Sequence, residues 1–158
     1  AVYTRGDEFI SSTIRHPFVM DYKTGVMNDG TLIARKIHIL LDGGAYCSWT
    51  GTTIGKGSIL APGPYNIPNI HVEAYAVYTN KTVTGAMRGF GAPQVCFAYE
   101  SQMDTIAEKL GMDPLEIRLK NAFSDGSASP TSQRLQSVAL KESLNQASER
   151  FGWQEPKA

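Results

Sequence analysis

Cysteine is scarce: Cys47 and Cys96 are the only two in 158 residues. Two thiols exclude a disulfide scaffold and a four-thiolate metal site, and they fit free cysteines in a reducing compartment. A cytoplasmic location is therefore expected. There is no excess of charge of either sign, because 15 Lys and Arg balance 15 Asp and Glu. Such a chain has no field to draw it to nucleic acid or to anionic lipid, so neither partner is expected. Long apolar runs are missing too. None approaches the roughly 18 residues of a membrane span, and no charged-then-apolar opening marks a secretion signal. The histidines His16, His38 and His71 lie far apart with no i, i+4 pair, which argues against a zinc site. Each is expected to be solvated on a strand. No G-x-S-x-G elbow exists, so a serine hydrolase has no support. What is present is an ordinary globular mix, 42% hydrophobic and 19% charged. The length suits about one domain and buries roughly 70% of its unfolded surface.

Residues 1–85 read as strand-rich and residues 92–153 as helical, within a single piece spanning 1–158. A strand over 14–23 contains Pro17, which hints at an edge or bulge. Asn28-Asp29-Gly30 tolerates positive φ, and the alternation of Lys36 and His38 with Ile37 and Ile39 marks the returning strand. The pair is an antiparallel hairpin. Residues 42–69 are rich in glycine, proline, serine and threonine and read as a long loop, either functional or disordered. A third strand covers 70–79. Val95, Tyr99, Met103, Ile106 and Leu110 then recur at helical spacing behind Pro93, with Gly111 as a stop. Asp113-Pro114-Leu115-Glu116 opens a short helix running to about Phe123. A serine-rich connection over 124–137 precedes a last helix over 138–151. The expected class is α+β: an antiparallel sheet of three or more strands, then helices packed on one face.

Two segments are candidates for chemistry. Gly51-Thr52-Thr53-Ile54-Gly55-Lys56-Gly57 falls short of a P-loop, since three residues separate its first two glycines and Gly57 stands where a hydroxyl would hold magnesium. It reads as a flexible turn. Ala86-Met87-Arg88-Gly89-Phe90-Gly91-Ala92-Pro93-Gln94 lies between a strand and a helix. Gly89 and Gly91 allow a ligand close to the backbone, and the following helix start is electropositive. Arg88 adds a fork of donors for an oxyanion, and Phe90 a ring for a flat substrate. A tight strand-to-helix turn with a surface arginine accounts for the same residues.

Arg88-Gly89-Phe90-Gly91-Ala92-Pro93-Gln94, with Glu100 and Met103 beyond it, resembles the R-G-F-G-x-P-Q signature of the molybdenum hydroxylases. These are the xanthine dehydrogenase and aldehyde oxidase family. Arg15-His16-Pro17-Phe18, Asp42-Gly43-Gly44-Ala45-Tyr46, Tyr65-Asn66-Ile67-Pro68-Asn69 and the stretches 111–118 and 120–121 agree as well, from about Arg5 to Trp153. The resemblance implies part of a larger molybdopterin-binding domain, whose molybdenum takes no protein side chain as ligand. It implies hydroxylation of a heterocycle or aldehyde with oxygen from water, and electron transfer to iron–sulfur clusters and FAD on other domains or subunits. The rest of the molybdenum subunit would be a partner. Arg88, Gly89, Phe90 and Gly91 would lie at the cofactor, and Phe90 would pack on a flat substrate. Lys56 falls where xanthine-type members carry a substrate-facing arginine. A lysine keeps the charge and loses the planar fork, which puts xanthine in doubt and leaves other heterocycles, aldehydes or acyl thioesters. The family's G-G-x-F-G-x-K stretch and its general-base glutamate match nothing here, and Glu100 reads as structural. The chain is therefore expected to be an internal fragment with no catalytic base of its own, inactive alone. The alternative is a binding or scaffold module of the same fold that has lost the chemistry.

Overall fold

A computed structural model describes residues 1–153. In chain order the elements are α1 (Arg5–Ser11), β1 (Ile14–Arg15), β2 (Phe18–Val26), β3 (Leu32–Asp42), α2 (Thr50–Leu60), β4 (Asn69–Val77), β5 (Thr84–Gly85), α3 (Ala92–Leu110), α4 (Pro114–Asn121) and α5 (Leu140–Phe151). Pro17 has no N–H to give a ladder, and the expected first strand divides there into β1 and β2. α1 was not expected from the sequence. It is closed by a capping box in which Thr4 and Asp7 satisfy each other's backbone N–H groups.

The hairpin forms as the sequence predicts. Gly30 takes φ 83, and Met27 donates its N–H to the Thr31 carbonyl at 2.9 Å. β2 and β3 then pair antiparallel from Phe18 opposite Leu41 to Val26 opposite Leu32. The third strand departs from the expected antiparallel sheet: β4 joins β3 in parallel, Ala34 opposite Asn69 through Asp42 opposite Val77. A parallel neighbour needs a crossover of a dozen residues or more, commonly a helix. The supposed loop supplies one in α2.

Alternation along β3 buries Arg35, Ile37, Ile39 and Leu41. Ile37 and Ile39 meet Ala61 after α2, Val95 of α3, and Phe18, Met20, Val72 and Ala74 of the flanking strands. The class is α+β, with α2 and α3 on one face of the sheet. Val19, Leu40 and Tyr75 form a cross-strand row on its exposed face. A second cluster joins Leu32, Tyr65 and Ile67 to Met103, Ile106 and Ile117. Asn121 ties it to the hairpin, accepting from Leu32 N–H at 3.0 Å and donating to the Gly30 carbonyl at 2.9 Å.

α2 forms despite three glycines. It buries Thr50, Thr53 and Gly57 on one stripe, and packing outweighs weak propensity. Gly57 sits where a Cβ would come 3.2 Å from the Phe18 ring, whereas a Cβ on Gly55 would meet nothing within 4 Å. Gly55→Ala should therefore stabilise the domain by about 0.5–1 kcal/mol through the unfolded chain. Gly57→Ala should destabilise it. Urea unfolding midpoints of the two variants check both signs.

Candidate functional site

The approach to the Arg88–Gln94 segment is anchored at Asp42. Its carboxylate accepts from Gly44 N–H at 2.9 Å and Thr79 Oγ1 at 2.6 Å, and pairs with Lys81 Nζ at 3.0 Å. These donors, led by the Thr79 hydroxyl, hold its pKa at about 2 against an ordinary 3.8. Next to it, Thr84 N–H donates to the Gly43 carbonyl and Thr84 Oγ1 to the Asp42 carbonyl. β5 thus runs beside β1, with Ile14 opposite Thr84, and delivers the chain to Arg88.

Three consecutive residues then take positive φ: Gly89 at 100°, Phe90 at 51° and Gly91 at 85°. For Phe90 this is a strained conformation, costing about 1–2 kcal/mol. Gly91 is the α3 N-cap and has no side chain to cap with. A Cβ there would lie 2.8 Å from the Thr53 carbonyl oxygen and 3.3 Å from Gly57 Cα. Only glycine allows the loop this close to α2.

Side chains from distant segments fix the rest. Arg15 donates from Nη2 to the Arg88 carbonyl at 3.0 Å. Gln94 donates from Nε2 to the His16 carbonyl, and His16 Nε2 shares a hydrogen bond with Thr50 Oγ1 at 3.0 Å. His16 is buried rather than solvated as expected, and burial pushes its pKa down. Trp49 meets Phe90 edge-on, centroids 5.9 Å apart and planes at 76°. Among the described residues, three buried polar atoms in this network have no hydrogen-bond partner: Arg15 Nη1, Thr53 Oγ1 and Gln94 Oε1.

Arg88 is exposed and Phe90 half-buried at the same turn. Lys56 is exposed on α2, a helix and not the expected flexible turn, next to the Gly57 that Gly91 approaches. Arg15, Trp49, Thr50 and Thr53 join the site as residues to which the sequence alone assigned no role there. Arg15 and His16 belonged to an agreeing motif, and nothing in the sequence pointed to Trp49. Glu100 accepts from Tyr65 Oη and Arg118 Nε, each at 2.8 Å, which makes it a structural joint.

Because the folded pKa of Asp42 lies below its unfolded value, its stabilisation is complete above pH 3.8 and is lost as pH falls through about 2. Asp42→Asn should flatten the acid limb of the stability curve in that window. An unchanged slope in acid titrations monitored by circular dichroism would contradict the anchoring role.

Residues 1–122 match the profile of the molybdopterin cofactor-binding domain. The chain is 42% identical over 150 residues to the nicotinate dehydrogenase large molybdopterin subunit of Eubacterium barkeri, covering 94% of this chain and 35% of that protein. It is 38% identical over 156 residues to the xanthine dehydrogenase molybdenum-binding subunit of Escherichia coli O157:H7, covering 98% and 21%. Its fold superposes on the aldehyde oxidoreductase of Desulfovibrio gigas with a TM-score of 0.83 at 38% identity, over 91% of this chain and 16% of that one. The chain thus spans about a third or less of these relatives. With the signature turn in place, it belongs to the molybdopterin cofactor-binding domain family, that of the molybdenum subunits of xanthine dehydrogenases and aldehyde oxidoreductases.

Proposed function

We propose that this chain is an internal piece of the molybdenum subunit of a hydroxylase, forming part of its cofactor wall and part of its substrate wall. Residues 1–158 act in this reading as one piece. Arg88, Gly89, Phe90 and Gly91 face molybdopterin, and Phe90 and Lys56 face a heterocyclic or aldehyde substrate. The observation that carries the reading is the Gly89–Gly91 turn at the uncapped start of α3, surrounded by buried polar atoms without partners. Buried donors and acceptors are nearly always satisfied, so orphans gathered at one turn suit a ligand. Arg15 Nη1 offers a donor, Gln94 Oε1 an acceptor, and Thr53 Oγ1 either. A pterin carrying a phosphate needs that mixture, and the amides of a helix start favour its anionic end. The residues fit the group.

When bound, the cofactor supplies the two-electron redox change and the entry of water-derived oxygen. The chain's own residues supply position and charge. Arg15 holds the Arg88 carbonyl, so the turn keeps its shape while the Arg88 side chain, exposed here, carries a permanent positive charge to the cofactor. Phe90, held by its N–H to the Met87 carbonyl at 2.9 Å and by the edge-on Trp49 ring, presents its ring to a flat substrate. Lys56 places a point charge near an anionic substituent but lacks the bidentate fork suited to xanthine. The general base and the iron–sulfur and flavin centres belong to other parts of a cytoplasmic enzyme.

In the complete protein, Arg88→Ala should lower kcat/KM by about 100-fold or more, or strip molybdenum from the subunit. Turnover in 18O-labelled water should place the label in the product. Full activity with full molybdenum content in Arg88→Ala would overturn the assignment.

A further inference from the structure

We infer that Trp49 determines specificity, forming with Phe90 a two-ring corner that favours flat heteroaromatic substrates over aliphatic aldehydes. The inference rests on the proposed placement of Phe90 at the substrate and goes beyond it by assigning a second residue and a substrate class. Trp49 occupies the N-cap of α2, where Ser, Thr, Asp or Asn would bond a free amide, and it makes no such bond. A cap that leaves these amides unbonded destabilises the helix start. Trp49 is 57% exposed, so burial among the described residues does not offset that cost. Phe90 is likewise in a backbone conformation that its side chain disfavours. Two locally unfavourable residues therefore touch each other, and such violations gather at functional sites.

Their geometry gives the corner a use. With the planes at 76°, a flat ring stacked on Phe90 presents its edge to the Trp49 face, or the reverse. Offset-stacked and edge-to-face contacts are the two favoured aromatic arrangements. An aliphatic aldehyde has no ring to exploit either. The corner is rigid at its base: the Trp49 carbonyl accepts from Thr53 N–H at 2.9 Å, and the Thr53 carbonyl abuts Gly91, the residue after Phe90. Lys56 lies two turns beyond Trp49 on the same side of α2, a cation for an anionic substituent on the ring.

The test uses the complete protein as wild type, Trp49→Leu and Trp49→Phe, with circular dichroism confirming the fold. Calorimetric binding is measured anaerobically without an electron acceptor, using nicotinate, hypoxanthine, quinoline and butyraldehyde as probes. Trp49→Leu should weaken the tightest-binding heteroaromatic by about 3- to 10-fold. Trp49→Phe should recover most of that loss, and butyraldehyde should change less than about twofold. Equal losses for both classes, no loss for either, or a wild type that prefers butyraldehyde would overturn the inference. Binding does not need turnover, and metal analysis is read separately. Wild-type protein without molybdenum would refute the hydroxylase reading, whereas ring discrimination unchanged in Trp49→Leu with molybdenum present would refute the role of Trp49 alone.

Discussion

The structure depends on one close approach, that of Gly91 to the backbone of α2 at Thr53 and Gly57. Any side chain at Gly91 would drive the loop and the helix apart. Because they touch, α3 starts against α2, and Val95 one turn later reaches Ile37 and Ile39 on the sheet. The same contact explains the glycine at position 57 and the burial of Thr53. α2 is also the crossover that lets β4 join β3 in parallel. Sheet order, helix packing and the shape of the signature turn are consequences of one another.

Two kinds of buried polar group separate the frame from the site. Arg35 is buried, and its guanidinium donates to Thr24 Oγ1, the Pro62 carbonyl and Met103 Sδ. Glu100 likewise accepts from Tyr65 and Arg118. Those groups are satisfied within the chain and hold the strands to the helices. Around the signature turn the pattern changes. Arg15 and Gln94 each spend one polar atom on the backbone and keep another buried without a partner, and the Thr53 hydroxyl has none. Frame groups are closed, whereas site groups retain bonding capacity.

The legible parts of the fold were those where a local signal and the global packing agree. The Asn28-Asp29-Gly30 turn, the β3 alternation, the α3 stripe ending at Gly111 and the Asp113 cap of α4 were all readable within a few residues. α2 was not, because glycines, threonines and a serine carry no helical stripe and only tertiary packing makes them helical. The parallel pairing of β4 followed from that omission. His16 looked solvated because a strand pattern cannot reveal that Thr50 and Gln94 close over it. At the site, Arg88 to Gly91 were readable because they are contiguous. Arg15 and Trp49 were not, since 73 residues separate Arg15 from the carbonyl it holds and no sequence spacing brings Trp49 to Phe90.

In the proposed function this turn and its unsatisfied neighbours hold a molybdenum cofactor. The most direct measurement is molybdenum and pterin content of the complete protein, made in a host that synthesises molybdopterin, beside a known molybdenum enzyme from the same cells. The expected result is about one molybdenum and one pterin per chain. A fully loaded control beside a protein with neither would contradict it.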